Sequence, residues 1–456
     1  MPKKISGVQQ RIMAMASNLV DRMRLFSQLG LQYDGDRKIY QALGYKTLLV
    51  YTDYAAKYDR QDIAKAIINR PVSATWRGGI TLLESDDKEE TPLEKAWKEL
   101  YDELKLHSKF ARLDRLTGIG CYGVLLLGLD DVKNASTDFI KPVEGTRKLL
   151  YVKPLGEGSA IVDRWEQNAS SERYGLPTVY KITLTNPGSR TSTSLQVHHS
   201  RVIHVAGELM ESETDGTPRL KSVYNRLMDL EKLVGGSAEM FWRGARPGWQ
   251  GEVGEDYQEL DDDQKTDLQD QIEEYEHNLR RFLINKGIKF SSLDQQVSDP
   301  KPHVFVQLQM ISAVTSIPLR KFIGSERGDL ASSQDNDAWN ELIQDRRDEF
   351  AEPLIVRAFI DRLIEYGVLP KASKDGYSVQ WVDLWAPSEK EKAEIGKIRA
   401  DALAAYGRNP GVEAFVPPEG FLRYFLGLKE EQIELIGEMN KQAIQEEGDD
   451  FGGEEE

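Results

Sequence analysis

The segment that decides the fold spans residues 311–355 and reads ISAVTSIPLRKFIGSERGDLASSQDNDAWNELIQDRRDEFAEPLI. Its first residues, ISAVTS, are the end of the stretch HVFVQLQMISAVTS (303–316), whose apolar spacing predicts a helix. After IPLRKFIG, the residues SERGDLASSQDND (325–337) are rich in Gly, Ser and Asp and predict a polar loop. A long helix is predicted from about Ala338 to Tyr366, and Pro353 should bend or restart it.

The chain before this segment predicts helices followed by strands. Residues 60–70 have helical spacing that we expect to stop before Pro71. CYGVLLLGL (121–129) predicts a buried strand, and short β-branched and aromatic runs continue to residue 210 between turn residues. The pattern predicts an α+β fold with a mostly antiparallel β region.

Helical spacing returns over residues 220–243 and again over 261–285, with the turn-rich stretch GARPGWQGEVGE between them. Two further helices are predicted, one from Ser388 and one from about Glu430. The tail EEGDDFGGEEE is too acidic and glycine-rich to pack and is predicted to be disordered.

Composition excludes several classes of protein. The net charge is −16 at pH 7, which disfavours a protein that grips duplex DNA along a broad basic face. A single cysteine, Cys121, rules out an intrachain disulfide and fits folding in a reducing cytoplasm. We expect neither a secretory signal nor a membrane span, because no apolar run has the necessary length.

The motifs that support catalysis are missing. The sequence lacks the GxxxxGK[ST] phosphate loop and also lacks GxSxG, HExxH and CxxC. Three of the six histidines, His198, His199 and His204, lie close together, but on a strand His198 and His204 would be about 20 Å apart, too far to share a metal. We therefore expect no enzyme activity, no catalytic or metal site and no cofactor.

The segment 311–355 resembles the C-terminal half of tailed-bacteriophage portal proteins, which carry a helix, an Ile-Pro turn, a Gly/Ser/Asp loop and a long helix. Ser316 stands where a glycine is common, and RKFIG replaces the usual threonine-containing form. HHSRVIHVAGE, IAKAIINRPVSATWRGGI and FWRGARPGW resemble further portal elements in the same order, so that the likeness spans about residues 45–390. The counterparts within the segment are Ile317, Pro318, Leu319, Phe322, Gly324, Gly328, Ser333, Asp335 and Asp337.

The resemblance implies a portal architecture built from a mixed α/β wing, long stem helices, a clip and a helical crown. The implied regions are an N-terminal helical arm (1–45), wing (46–219), stem helix (220–243), clip (244–293), second stem helix (294–317), tunnel loop with the long helix and the rest of the wing (318–387), and helical crown with a disordered acidic tail (388–456).

The resemblance also implies function and partners. The chain would form a ring, a dodecamer in the family, at one capsid vertex of the virion, and would be assembled in the host cytoplasm. The ring would conduct double-stranded DNA during packaging and ejection and would contact the terminase, the major capsid protein and a head–tail adaptor, with no membrane partner. The implied site residues are Ser325, Glu326, Arg327, Asp329, Ser332, Ser333 and Asp335 near the DNA; Trp242, Arg243, Arg246 and Trp249 for partner docking; and Ile317, Pro318 and Gly324 in the family turn.

Three alternatives stay open from the sequence. The clip aromatics and arginines could equally pack within their own subunit. The chain could be another ring-forming virion component, such as an adaptor. It could also be a two-histidine phosphodiesterase, although only His198 is followed two residues later by Ser, and one such element cannot supply both acid and base.

Overall fold

A computed structural model of the protein describes residues 38–85, 89–185, 188, 191–244, 248–253, 262–276, 288–293, 299–323, 329–374, 376–386, 389–408, 411–412, 414–430 and 432–439. The chain divides into two compact units, Met1–Val382 and Asp383–Glu456. Residues 1–37 of the implied N-terminal helical arm and the acidic tail lie outside the described residues.

The first unit mixes helices and strands, and the α+β prediction is confirmed. Its helices are α1 (Ile39–Leu43), α2 (Tyr51–Arg60), α3 (Asp62–Thr75), α4 (Pro92–Glu103), α5 (Leu106–Ile119), α6 (Ala135–Asp138), α7 (Tyr224–Gly244), α8 (Asp262–Glu276), α9 (Lys301–Thr315), α10 (Leu319–Ile323), α11 (Asp329–Arg346) and α12 (Ala358–Glu365). Its strands are β1 (Ile80–Leu83), β2 (Gly123–Leu129), β3 (Leu149–Gly156), β4 (Ala160–Trp165), β5 (Pro177–Thr185), β6 (Ser192–His198), β7 (Val202–Val205), β8 (Gly248–Val253), β9 (Ile288–Leu293) and β10 (Ser378–Trp381).

The described strands pair antiparallel throughout, as the sequence predicts. Two three-stranded sheets have the orders β3-β2-β7 and β4-β5-β6. Two smaller sheets pair β1 with β10 and β8 with β9.

Strand β2 explains why CYGVLLLGL has no polar alternation. Each of its residues is buried. Leu125 and Leu127 point into the larger core with Phe110 and Phe359, whereas Val124 and Leu126 point into a second core on the opposite face. Because successive side chains of a strand face opposite ways, a strand between two cores must be apolar at every position.

Two prolines lie inside helices, and the prediction that residues 60–70 stop before Pro71 is wrong. Helix α3 continues through the buried Pro71 to Thr75, whose hydroxyl donates to the Pro71 carbonyl at 2.9 Å. Pro353 lies within a π-helical segment, Arg347–Arg357, which joins α11 to α12. Pro353 has no backbone N–H to donate, and the wider turns of a π-helix accommodate it. The helix therefore continues through Pro353 and does not restart there.

The second unit contains helices among its described residues. It contains α13 (Glu389–Gly407), α14 (Pro418–Gly420) and a short π-helical segment, Phe421–Phe425. Tyr406 of α13 stacks on Phe421 with ring centroids 4.2 Å apart and donates its hydroxyl to the Val416 carbonyl at 2.6 Å. Within the described parts of both units, no helix combines the length and the apolar character needed to cross a bilayer.

Candidate functional site

The turn between α9 and α10 explains why a glycine is common at the position that Ser316 occupies. Ser316 has φ +54° and ψ +18°, a left-handed conformation that favours glycine. The Ser312 hydroxyl donates to the Ile317 carbonyl at 2.7 Å, and the Ile317 side chain is buried. The Lys321 amide donates to the Pro318 carbonyl at 2.8 Å, which closes the turn. Ile317 and Pro318 thus reverse the chain, while Gly324 lies outside the described residues.

The polar loop predicted over residues 325–337 is shorter than expected. Helix α11 begins at Asp329, not near Ala338, so Asp329, Ser332, Ser333 and Asp335 are helical. Asp335 lies 3.4 Å from the Arg320 guanidinium in an ion pair. Ser325, Glu326 and Arg327 lie outside the described residues.

The C-terminal end of α11 is tied to the core through the fully buried carboxylate of Asp114 on α5. Arg346 Nη2 lies 2.8 Å and Arg219 Nη2 lies 3.0 Å from Asp114 Oδ1, and Trp76 Nε1 donates to Oδ2 at 2.9 Å. Burial alone would raise the pKa of Asp114, but the charges of Arg346 and Arg219 and the Trp76 hydrogen bond hold it below its ordinary value. Burial lowers the pKa of Arg346 to about 10.

The adjacent Arg347 makes a second tie to the same core. Its guanidinium donates to the Thr75 carbonyl at 3.1 Å and to the Val382 carbonyl at 2.7 Å. It also lies 5.0 Å from the centroid of the Trp381 ring. Arg346 and Arg347 together fix the C-terminal end of α11 against α3, α5 and the end of β10.

This buried network is not visible as a sequence motif. Asp114 and its partners are far apart along the chain, so no local pattern contains them. A signal is nevertheless present in α5, where the buried residues Phe110, Ala111 and Thr117 share the helical face on which Asp114 lies. A carboxylate on an apolar face requires a cation partner, because an unpaired buried charge is strongly destabilising.

Helix α9 is apolar on two opposite faces. Leu308 and Ile311 are buried within the subunit, where α9 contacts α7. The other face exposes large apolar side chains: Phe305, Val306, Met310 and Val314. We call this set the α9 apolar face.

The clip residues fall at the end of α7 and beyond it. Trp242 is 75% exposed. Arg243 lies in the last turn of α7, and Trp249 lies in β8 opposite Ser292 of β9. Arg246 lies outside the described residues.

A cleft of about 590 Å³ opens between the Ile317 turn and the long helix. Charged side chains from several elements, Glu208, Arg219, Asp345 and Glu349, line it beside Phe350. The arginines among the lining residues, Arg219 and Arg346, are committed to Asp114.

The three neighbouring histidines do not lie on one strand as expected. A 3₁₀ turn, His199–Arg201, separates β6 from β7, because Arg201 turns inward to form a bidentate pair with Asp131 at 2.8 and 2.6 Å. His204 is held by the Tyr180 hydroxyl at 3.0 Å and by the Thr214 carbonyl at 2.8 Å. These contacts are structural, and His198 bonds locally, to Ser200.

Burial, followed by the charge of Arg173, lowers the pKa of His199 to about 4. Across the described residues there is no group of three His, Cys, Asp or Glu side chains that could hold a metal ion.

Comparison with known proteins identifies the family. Residues 52–405 match the family model described as phage portal protein. Because the match covers most of the sequence, this chain belongs to the phage portal protein family. None of the curated proteins compared with it matches.

Several solved structures match this chain at low sequence identity. A chain from the neck of a native gene transfer agent particle, computed with C12 symmetry, is 14% identical with a TM-score of 0.48, covering 86% of this chain and 98% of that chain. A chain from the virion of the native particle is 13% identical, with a TM-score of 0.47 and coverages of 83% and 93%. An HK97 family phage portal protein from Corynebacterium diphtheriae is 10% identical, with a TM-score of 0.34 and coverages of 72% and 94%.

Proposed function

We propose that this chain is the subunit of a portal ring, which occupies one capsid vertex and conducts double-stranded DNA during packaging and ejection. Family membership supports the proposal, and the α9 apolar face is the observation that carries it. A helix with large apolar side chains both on its packed side and on its exposed side is normally covered by a further element. One side of α9 is covered by its own subunit, so the other side requires a neighbour.

A neighbouring copy of the same chain is the occupant that a ring would supply. In a head-to-tail ring each subunit offers one surface to the preceding copy and a different surface to the next. The α9 apolar face would then pack on a neighbour's stem, in a dodecamer as the family implies. Each apolar contact would be repeated around the ring, so its contribution to assembly would be multiplied.

The charge of the chain suits a conduit that DNA passes through. Counterion release makes every neutralised phosphate a source of affinity, so a channel must avoid neutralising many at once. A subunit with a net charge of −16 lowers such adhesion. We place Ser325, Glu326, Arg327, Asp329, Ser332, Ser333 and Asp335 at the channel, where Arg327 has several acidic neighbours in the sequence.

The remaining proposed partners are a terminase motor and a head–tail adaptor. Packaging needs ATP, and the sequence has no phosphate loop, so a separate terminase motor is required and this subunit needs no enzyme activity. Trp242, with Arg243, Arg246 and Trp249 nearby in sequence, is the candidate docking surface for that motor and later for the head–tail adaptor. Exposed tryptophan and arginine are the residues most often found as interface hot spots.

The test compares two identical chemical changes at two exposed methionines. Met310→Lys places an amine on the α9 apolar face, whereas Met210→Lys changes a methionine that is 87% exposed outside the stem. Mass photometry of the purified full chain should show rings for the native protein and for Met210→Lys but mostly monomers for Met310→Lys, because an unpaired buried ammonium opposes association. Unchanged rings in Met310→Lys, or no rings in the native protein, would overturn the proposal.

A further inference from the structure

A cluster of cations surrounds the root of the segment that joins α10 to α11. Arg70 lies in the second half of α3 and Arg77 lies two residues beyond its end at Thr75, and both are exposed. Lys321 of α10 lies beside them, because α10 and α11 both contact α3. Burial, and then the charges of Arg77 and Arg70, lower the pKa of Lys321, as expected for three cations that share a small region. We call Arg70, Arg77 and Lys321 the root cluster.

The cations of the root cluster outnumber the carboxylates near them in the described part of the chain, where Asp335 raises the pKa of Lys321. Neither Arg70 nor Arg77 forms an ion pair with any residue that the structure describes. Lys321 donates to the Asn336 side-chain carbonyl at 2.7 Å and lies 6.0 Å from the Trp339 ring centroid, so these contacts are with neutral groups. The nearby Asp335 is already paired with Arg320. An uncompensated positive region therefore stands on a chain whose net charge is −16.

Helix α11 and its π-helical continuation carry the complementary charge. Four of their acidic residues follow spacings of four, four and three, which places these four on one helical face, and all four are exposed. This set, the acidic face, comprises Asp337, Glu341, Asp345 and Asp348. Asp348 accepts hydrogen bonds from the Gln344 amide, and the described residues supply no cation to the face. Like charges at such spacings destabilise a helix, so the face requires a cationic partner from elsewhere.

The two charged regions lie on opposite sides of one helix. Trp339 points from α11 toward Lys321 of the root cluster. Asp337 and Glu341 are each two residues away from Trp339, a rotation of about 200° around the helix axis. The acidic face therefore points away from the root cluster of its own subunit, so the two regions cannot neutralise each other within one chain.

We propose that the root cluster of one subunit binds the acidic face of the next copy, an inference that rests on the proposed ring. A head-to-tail ring brings different sides of successive subunits together, and it would join these opposite charges at each interface. The pairing would set the register between neighbouring long helices, as complementary charges do at other interfaces. It would also occupy cations that lie close to the proposed channel, so that they are not free to retain DNA phosphates.

A charge-swap experiment tests the pairing in the full chain. The first variant, Arg70→Glu with Arg77→Glu, should raise the concentration for half-assembly of the ring by about tenfold or more, because like charges would then meet at each interface. Glu341→Lys with Asp345→Lys should do the same. All four substitutions together should restore assembly, because opposite charges face each other again. Arg60→Glu with Arg112→Glu, two exposed arginines elsewhere, should assemble like the native protein.

The outcomes separate this inference from the proposed function. If the native chain forms no ring, the proposed function fails and the pairing fails with it. If the native chain forms rings and the Arg70→Glu, Arg77→Glu variant assembles like it, the ring stands and the pairing is wrong. The pairing is also wrong if rings of the Arg70→Glu, Arg77→Glu variant form normally but bind short duplex DNA more weakly than native rings. The root cluster would then be a nucleic-acid-binding site. Circular dichroism of each variant confirms that the subunit is folded.

Discussion

Replacing Asp114 by Asn tests the anchor that supports the long helix. The substitution preserves the size of the side chain and an oxygen that can accept the Trp76 indole N–H. It removes the negative charge that faces Arg346 at 2.8 Å and Arg219 at 3.0 Å. Arg346 and Arg219 would then both face a fully buried side chain that carries no negative charge.

The expected loss follows from that burial. Removing one partner of a buried ion pair costs about 3–5 kcal/mol of unfolding free energy, because the remaining charge stays uncompensated. The loss should depend on pH with a defined sign. The pKa of Asp114 is lowered in the folded state, so the native carboxylate stabilises the fold above its unfolded pKa of roughly 4 and loses that effect as pH falls below it.

Urea unfolding at neutral pH, followed by tryptophan fluorescence, measures this difference. The matched control is Asp262→Asn, where the carboxylate is 97% exposed and lies 3.3 Å from Lys265, and where the change should be below about 1 kcal/mol. At pH 3 the Asp114 variant and the native protein should become closer in stability. A variant within about 1 kcal/mol of the native protein at pH 7, the range of exposed pairs, would show that Asp114 does not anchor the helix.

Three other predictions rest on single positions. Ser316→Gly should be more stable than Ser316→Ala by about 1 kcal/mol in urea unfolding, because alanine must adopt the left-handed conformation; equal stabilities would contradict the turn. Since burial and Arg173 lower the pKa of His199 to about 4, native stability should fall as pH drops from 6.5 toward 4, and His199→Gln should flatten that slope in pH-dependent unfolding. Trp242→Ala should change unfolding free energy by less than about 0.5 kcal/mol yet weaken terminase binding to the ring in interferometry, and full binding would remove Trp242 from the docking surface.

Much of the architecture can be predicted because its signals are local. Strand β2 has an apolar residue or glycine at each position, which only a doubly buried strand requires. The helices around Leu308 and Leu227 follow from apolar spacing alone. The order of helix, Ile-Pro turn and long helix is likewise continuous in sequence, and it is sufficient to indicate the family.

Prediction fails where tertiary contacts override local propensity. Pro71 is tolerated inside α3 because the helix is held in the core on both sides of it. Residues 329–337 have the composition of a loop, yet Asp335 pairs with Arg320 and the helix extends to include them. His198 and His204 do not share a strand because Arg201 turns inward toward Asp131, a residue 70 positions away.

The Asp114 network cannot be assembled from sequence for the same reason. Its four side chains come from the end of α3, from α5, from the segment before α7 and from α11, and only the fold brings them together. A single acidic residue on an apolar helical face indicates that a partner exists but does not identify it. The charged residues of the root cluster and of the acidic face can likewise be identified in the sequence. Only the fold shows that the two sets lie on opposite sides of α11.

The most direct test of the proposed ring is a cryo-EM structure of the purified full chain. We predict a closed ring with an axial channel, in which Phe305, Val306, Met310 and Val314 of each subunit are covered by the neighbouring copy. A monomer under native conditions, or a ring in which this face of α9 remains exposed to solvent, would contradict the proposal.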